Sequence, residues 1–308
     1  MSSANNKKIR LGINTGFTLN RFPEPEVWAK IVGETLGLRY VQFTADLLNA
    51  SLPDEIIQDQ LTKIKAACQK YNVKVEHTFT SAFTRVNHLA NPDEILRHYW
   101  VKWFKKYVDI SASLGAKSMG SHFGILTVSD LENPERKEFI TQQAIAGWHE
   151  IAAYAKEKGL EYLTWEPMSI KREFGETIEA TRVLHKRVNE NSPLPFKLCL
   201  DVDHGDVSSK NPDDTNPHKW LEVFAHDSPI IHIKQSLKSK SGHHPFVEEY
   251  NKDGKIIPSE IISLIQQHGA QDTLLLFEFS FREREPFESL VVKHLKESVD
   301  YWRPFVHL

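Results

Sequence analysis

Glu166, Asp201, His232 and Glu278 each close a short apolar run, in EYLTWE, FKLCLD, PIIHI and TLLLFE. Runs this short and β-rich read as buried parallel strands, so each polar side chain stands where a strand gives way to a loop. Two glutamates, an aspartate and a histidine form a mixed oxygen and nitrogen donor set, suited to one divalent cation such as Mn2+, Co2+ or Mg2+. Taken singly, an acid after a strand is more often a helix cap or an ion-pair partner, and His232 inside Ile231-His232-Ile233 reads equally well as core. Four such placements in succession weigh against that reading, because buried carboxylates without a cation carry a heavy desolvation penalty.

The elements that must position these residues alternate along the chain. Strand-like runs occupy 9–14, 38–44, 73–79, 116–122, 160–166, 196–201, 229–234 and 273–279. Helical patterns lie between them. Asn91-Pro92-Asp93 and Asn133-Pro134-Glu135 read as N-caps with proline at the first helical position. Ile56, Ile57, Leu61 and Ile64 have the spacing of one buried helix face. Gly37, Gly115, Gly159 and Gly269 stand where a left-handed residue ends a helix. Eight β-then-α units without a linker predict a closed (β/α)8 TIM barrel, one domain over 1–308 with 1–8 as a flexible N-terminus. An open doubly wound sheet fits less well, since Gly12-Ile13-Asn14-Thr15-Gly16 lacks the Gly-x-Gly-x-x-Gly spacing after the first strand. In the barrel the four candidate ligands fall on strands five to eight, whose C-terminal ends share one face.

Bulk properties narrow the function. At 308 residues, 40% apolar and 26% charged, the chain can bury a full core. A net charge of −3 and a pI near 6.6 give nucleic acid or an anionic membrane no general attraction. Two cysteines, Cys68 and Cys199, suit a reducing compartment. The N-terminal MSSANNKKIR lacks the apolar stretch of a signal peptide, and no run is long enough to span a bilayer. The expectation is a cytoplasmic enzyme with neither nucleic-acid nor membrane partners.

At Glu166-Pro167, Asp201-x-x-His204, His232-Ile233-Lys234 and Glu278 in FEFSFRERE, the chain resembles the sugar isomerase/epimerase superfamily of xylose isomerase-like barrels. Within it the likeness is closer to ketose 3-epimerases related to D-tagatose 3-epimerase, and it runs from the first strand to the last helix. The resemblance implies that Glu166, Asp201, His232 and Glu278 hold the metal, Mn2+ foremost, with Glu166 and Glu278 also the catalytic pair. It implies His204 as a substrate contact and Glu173, in KREF, as a substrate-orienting acid. The stretches NRFPEPEVWAKIVGETLG and FEFSFREREPFESL are similar to bacterial tetrulose-phosphate 3-epimerases, which implies an erythrulose 1-phosphate as substrate.

The chemistry follows from residue types. Inverting a carbon beside a ketone means removing its proton from one face and returning one to the other, through a cis-enediolate that a cation stabilises. Two carboxylates on opposite sides can exchange the roles of base and acid. Lys234, Lys238, Lys240, His243 and His244 after strand seven, with Arg282 and Arg284 after strand eight, are candidate phosphate contacts, although SLKSKSGHH and Arg282-Glu283-Arg284-Glu285 read almost as well as solvated surface. The stretch 235–257 is long for a barrel loop and is expected to cover the substrate. Arg85, in TFTSAFTRVNHLANP, is expected to form another wall. His77 and His122 are expected near the mouth, as hydroxyl contacts or as ordinary polar residues. Trp28, Trp100, Trp103 and Trp148 read as core or subunit contacts of a homo-oligomer, dimer or tetramer, and alternation turns Trp165 away from the barrel axis. Two other activities use similar residues: aldose–ketose isomerisation on the same ion, and an endonuclease IV-type AP endonuclease with a three-zinc cluster. The Asp-x-His pair of the nuclease is missing after strand seven, as is a basic DNA-binding surface.

Overall fold

The computed structural model describes residues 7–81, 84–281 and 288–307. Eight strands, β1 (Lys8–Asn14), β2 (Tyr40–Thr44), β3 (Lys74–Phe79), β4 (Ser118–His122), β5 (Tyr162–Glu166), β6 (Phe196–Asp201), β7 (Ile230–Ile233) and β8 (Asp272–Phe277), form a closed parallel barrel in chain order. Closure is made by β1 on β8, from Lys8 opposite Asp272 to Ile13 opposite Phe277. The strands are buried almost throughout, which explains their continuous apolar runs. Among the described residues the α-helices are α1 (Pro25–Lys30), α2 (Asp54–Lys70), α3 (Glu94–Ser113), α4 (Val128–Glu132), α5 (Pro134–Glu157), α6 (Ile178–Asn189), α7 (Pro217–Phe224), α8 (Glu248–Asn251), α9 (Pro258–His268) and α10 (Val291–Trp302).

Local expectations fare unevenly. Asn133 caps α5 through bonds from the Glu135 and Arg136 amides, with Pro134 at the first helical position. The preceding case differs: Asp93, not Asn91, caps α3, because its carboxylate accepts from Leu96. Ile57, Leu61 and Ile64 are buried on α2, but Ile56 is 45% exposed. Gly37, Gly115 and Gly159 have the left-handed φ expected, whereas Gly269 has φ −73° and is extended. What requires glycine there is space, since a Cβ would lie 2.6 Å from the Ile265 carbonyl oxygen. Lys8 already belongs to β1, and the Lys7 amide donates to Gln266, so the strand begins inside the segment expected to be flexible.

At the N-terminal ends of the strands, buried Glu76 pairs with Arg10, Lys74 and Lys117 at 3.2, 2.6 and 3.0 Å. Arg10 also reaches Asp272 at 2.8 Å. This charged floor ties β1, β3 and β8 to the segment entering β4. Trp28, Trp103, Trp148 and Trp165 pack between barrel and helices, and Trp165 Nε1 donates to His185, away from the axis as alternation requires.

Candidate active site

Glu166, Asp201 and His232 sit on β5, β6 and β7, and Glu278 one residue beyond β8, where its amide still donates to the Ile233 carbonyl at 3.1 Å. One donor atom from each of the four lies within 4.8 Å of every other. His232 is fully buried, with Nδ1 3.2 Å from Glu166 Oε1 and 3.5 Å from Glu278 Oε1. Both glutamates therefore meet the same edge of the imidazole, at Nδ1. Asp201 is paired from the other side by Lys234, whose buried Nζ is 2.6 Å from Oδ2 and 3.7 Å from Glu278 Oε2.

Burial by itself would protonate buried acids and discharge buried bases, and at Glu166, Asp201, His232 and Lys234 the neighbouring charges oppose it. For Glu166, burial pushes the pKa up, but His232 and His204 outweigh it and lower it. Asp201 is likewise lowered, by His204 and Lys234 against burial. The opposing shifts appear on the cations: burial lowers His232 and Lys234, but the Cys199 sulfur, Glu278 and Glu166 raise the first, and Asp201 and Glu278 the second. Three carboxylates thus converge on one point with Lys234 as the fixed counter-charge. Three oxygen donors and one imidazole, with the Cys199 thiol behind the ring and not among the donors, fit a hard or borderline divalent cation.

Glu166 and Glu278 line a cavity of about 730 Å³ together with His204, Lys234, His122 and Arg85, while Asp201 and His232 are buried and not among its lining. His204 Nδ1 lies 2.9 Å from the Pro167 carbonyl, and its Nε2 lies 3.8 Å from Asp201. His122 is buried, its Nε2 3.0 Å from the Val86 carbonyl, and burial lowers its pKa to about 4, leaving it neutral. Glu173 stands behind Arg85 instead of lining the cavity, and the two carboxylate oxygens hold Nη2 at 2.8 and 2.6 Å. His243, from the long segment 235–257, lines the cavity with Nε2 3.0 Å from Lys234 Nζ. Lys240 and His244 line an adjoining cavity of about 530 Å³. Arg282 and Arg284 lie outside the described residues. His77 is not at the mouth: it is bonded to Ser118 Oγ at 2.8 Å and lies against the Tyr162 ring, beneath the site. Among the described residues one four-membered donor group assembles, with His77 and His122 outside it, so the histidines that a three-zinc cluster would require are not brought together.

Sequence reasoning passed over Asn14 and Gln42, which reach His232 from β1 and β2: Gln42 Oε1 is 2.7 Å from His232 Nε2 and accepts from Asn14 Nδ2 at 2.8 Å. The one signal was polarity, an Asn and a Gln inside runs otherwise apolar. It also passed over the apolar wall formed by Phe79, Met168, Phe279 and Phe281.

Comparison with known proteins places these features in context. A family model described as a xylose isomerase-like TIM barrel matches residues 32–303. D-erythrulose 1-phosphate 3-epimerase of Brucella abortus (strain 2308) is 40% identical over 299 residues, covering 97% of this chain and 96% of that protein. The crystal structure of a Rhodospirillum rubrum protein named for xylose isomerase superposes with a TM-score of 0.88 at 25% identity, over 97% of this chain and 100% of the other. D-allulose 3-epimerase from Methylomonas sp. has the same fold, with a TM-score of 0.69 at 13% identity over 97% and 99% of the two chains.

Proposed function

The chain belongs to the xylose isomerase-like TIM barrel family, and we propose that, as a carbohydrate epimerase, it inverts carbon 3 of a short ketose 1-phosphate, an erythrulose 1-phosphate. The observation that carries this is the pair Glu166 and Glu278, which converge on His232 Nδ1 from separate strands and both line the cavity. The 40% identity with the Brucella abortus enzyme supports the choice of substrate.

Glu166, Asp201, His232 and Glu278 would hold one divalent cation, Mn2+ before Mg2+ or Co2+. When bound, it supplies positive charge against the charge that develops on the ketose oxygens. One glutamate takes the carbon 3 proton from one face, and the other returns a proton from the opposite face. The proton taken is not the proton given, so the two carboxylates exchange protonation states with each inversion. Asp201 is kept as an anion by Lys234 and takes no part in proton transfer. His204, Lys234 and His122 present nitrogen atoms to the sugar hydroxyls, and Glu173 holds Arg85 at the wall. Phe79, Met168, Phe279 and Phe281 exclude water around the reacting carbon. For the phosphate, Arg282 is the first choice, from its place in FREREP. The buried thiols Cys68 and Cys199, both free, suit the cytoplasm, and among the described residues no helix is long and apolar enough to cross a membrane. Ile95, Leu96 and Tyr99, exposed together on α3, are where a homo-oligomer contact is placed; sedimentation of Ile95→Asp checks this by a lower mass.

The test is incubation of the Mn2+-supplemented protein with ketoses and ketose 1-phosphates in D2O, followed by NMR. Deuterium is expected at carbon 3. Deuterium at carbon 1 would make the enzyme an aldose–ketose isomerase and overturn the proposal. Glu166→Gln and Glu278→Gln should each lose net epimerisation by ~10²–10⁴-fold, while each still exchanges the carbon 3 proton of one epimer, and not the same epimer.

A further inference from the structure

Asn14 on β1 and Gln42 on β2 stand behind His232, on the side of the ring away from Glu166 and Glu278. The Gly16 backbone N–H donates to the Asn14 side chain at 2.7 Å. A backbone amide can only donate, so the atom it meets is Oδ1, and the other end of Asn14 is Nδ2. That nitrogen, also only a donor, meets Gln42 at 2.8 Å, so the Gln42 atom facing it is Oε1. The same oxygen lies 2.7 Å from His232 Nε2. An acceptor at that distance requires the proton on Nε2. The remaining ring nitrogen, Nδ1, is the one 3.2 Å from Glu166 and 3.5 Å from Glu278. Cys199 Sγ also touches Nε2, at 3.3 Å, but sulfur is a weak acceptor beside an amide oxygen. Asn14, Gln42 and His232 are all buried, which shields the chain from exchange with solvent.

We infer that the backbone amide of Gly16, relayed through Asn14 and Gln42, pins a proton of His232 on Nε2, so that Nδ1 is the nitrogen left to the cation. Gln42 is thus a positioning residue acting through His232. The inference rests on the metal reading given above. It also gives a task to Asn14 and Gly16 at the end of β1. Partners of this kind on metal-binding histidines are typically worth 10–100-fold in affinity.

The experiment strips the full-length protein with a chelator, titrates it with Mn2+ by electron paramagnetic resonance of the free ion, and follows thermal unfolding of the metal-free forms. Gln42→Leu, which removes the acceptor, should weaken Mn2+ binding by ~10–100-fold. Gln42→Glu keeps an acceptor oxygen towards both Asn14 and His232 and adds a negative charge, so it should bind at least as tightly as wild type. Asn14→Asp separates the relay from simple charge. It still accepts from Gly16 but presents oxygen to Gln42, which must turn its amide nitrogen inward and drive the His232 proton to Nδ1. The relay therefore expects weaker binding, whereas an added negative charge alone would tighten it. Should Gln42→Leu fail to fold, Asn14→Asp decides by the direction of its shift. Unchanged or tighter binding in Gln42→Leu or Asn14→Asp overturns the inference while wild-type binding leaves the metal reading intact. A wild-type protein that takes up no Mn2+ overturns both.

Discussion

Replacing Lys234 by methionine tests whether the site is built around a cation. The two side chains have similar length, so the change removes a charge and leaves most of the packing. Lys234 Nζ is buried, 2.6 Å from Asp201 Oδ2 and 3.7 Å from Glu278 Oε2. Without it, the three carboxylates face one another with no lysine or arginine of the described residues among them. Breaking a buried pair by removing one partner costs ~3–5 kcal/mol. At ~2.1 cal/mol/K per residue, 308 residues give an unfolding entropy of about 0.65 kcal/mol/K, so the metal-free variant should melt ~5–8 °C below wild type. A dication would supply the missing charge. With His232 neutral as a ligand and Lys234 counted, the three carboxylates leave a net −2 that a dication cancels; the variant leaves −3, which binds it more strongly. Calorimetry with and without Mn2+ should show a larger rise in Tm for Lys234→Met than for wild type. The reasoning fails if the metal-free variant melts with wild type, or if Mn2+ raises both equally.

Three further outcomes are expected. Glu76, which burial alone would raise, is pulled down to about 2 by Lys74, Lys117 and Arg10, so its contribution to stability is present above about pH 4.5 and is lost as pH falls towards 2; urea unfolding across that range should show Glu76→Gln less stable at pH 7 and less sensitive to acid than wild type. Gly205 has φ +140°, and a Cβ there would lie 1.8 Å from the Asp214 carbonyl oxygen; Gly205→Ala should cost at least ~2 kcal/mol and raise KM by displacing His204, whereas wild-type thermal stability would remove that account of the turn. Arg282→Ala should raise KM for a ketose 1-phosphate by about tenfold or more, charge-assisted contacts being worth roughly 1.5–3 kcal/mol, and should barely change it for the unphosphorylated sugar; equal effects on both would favour a surface ion pair.

What could be read along the chain is what depends on neighbours in the chain. Buried parallel strands must be apolar on both faces, so β5 to β8 announced themselves, and the acid or histidine ending each run marked the polar face of the barrel. The approach of Glu166, Asp201, His232 and Glu278 to within 4.8 Å follows from that topology. Local punctuation was readable where one contact decides it, as with Asn133 at α5. It failed at Asn91, where Asp93 offered the competing cap, and at Gly269, where the need is room beside Ile265 and not a left-handed turn.

Only the tertiary structure decided which polar residues serve the site from behind. Gln42 and His232 are 190 positions apart, and neither strand carries a sign of the other. Their pairing exists because closing the barrel brings the inward face of β2 across to that of β7. The same holds for Lys234, which composition presents as a free cation but which burial beside Asp201 turns into a fixed counter-charge, and for Glu173, which reaches Arg85 across 88 positions. A residue's type and its strand are properties of a short stretch of chain. Its partner, its protonation state and the direction of its hydrogen bonds are set by groups that only the closed barrel brings within 3 Å or so of it.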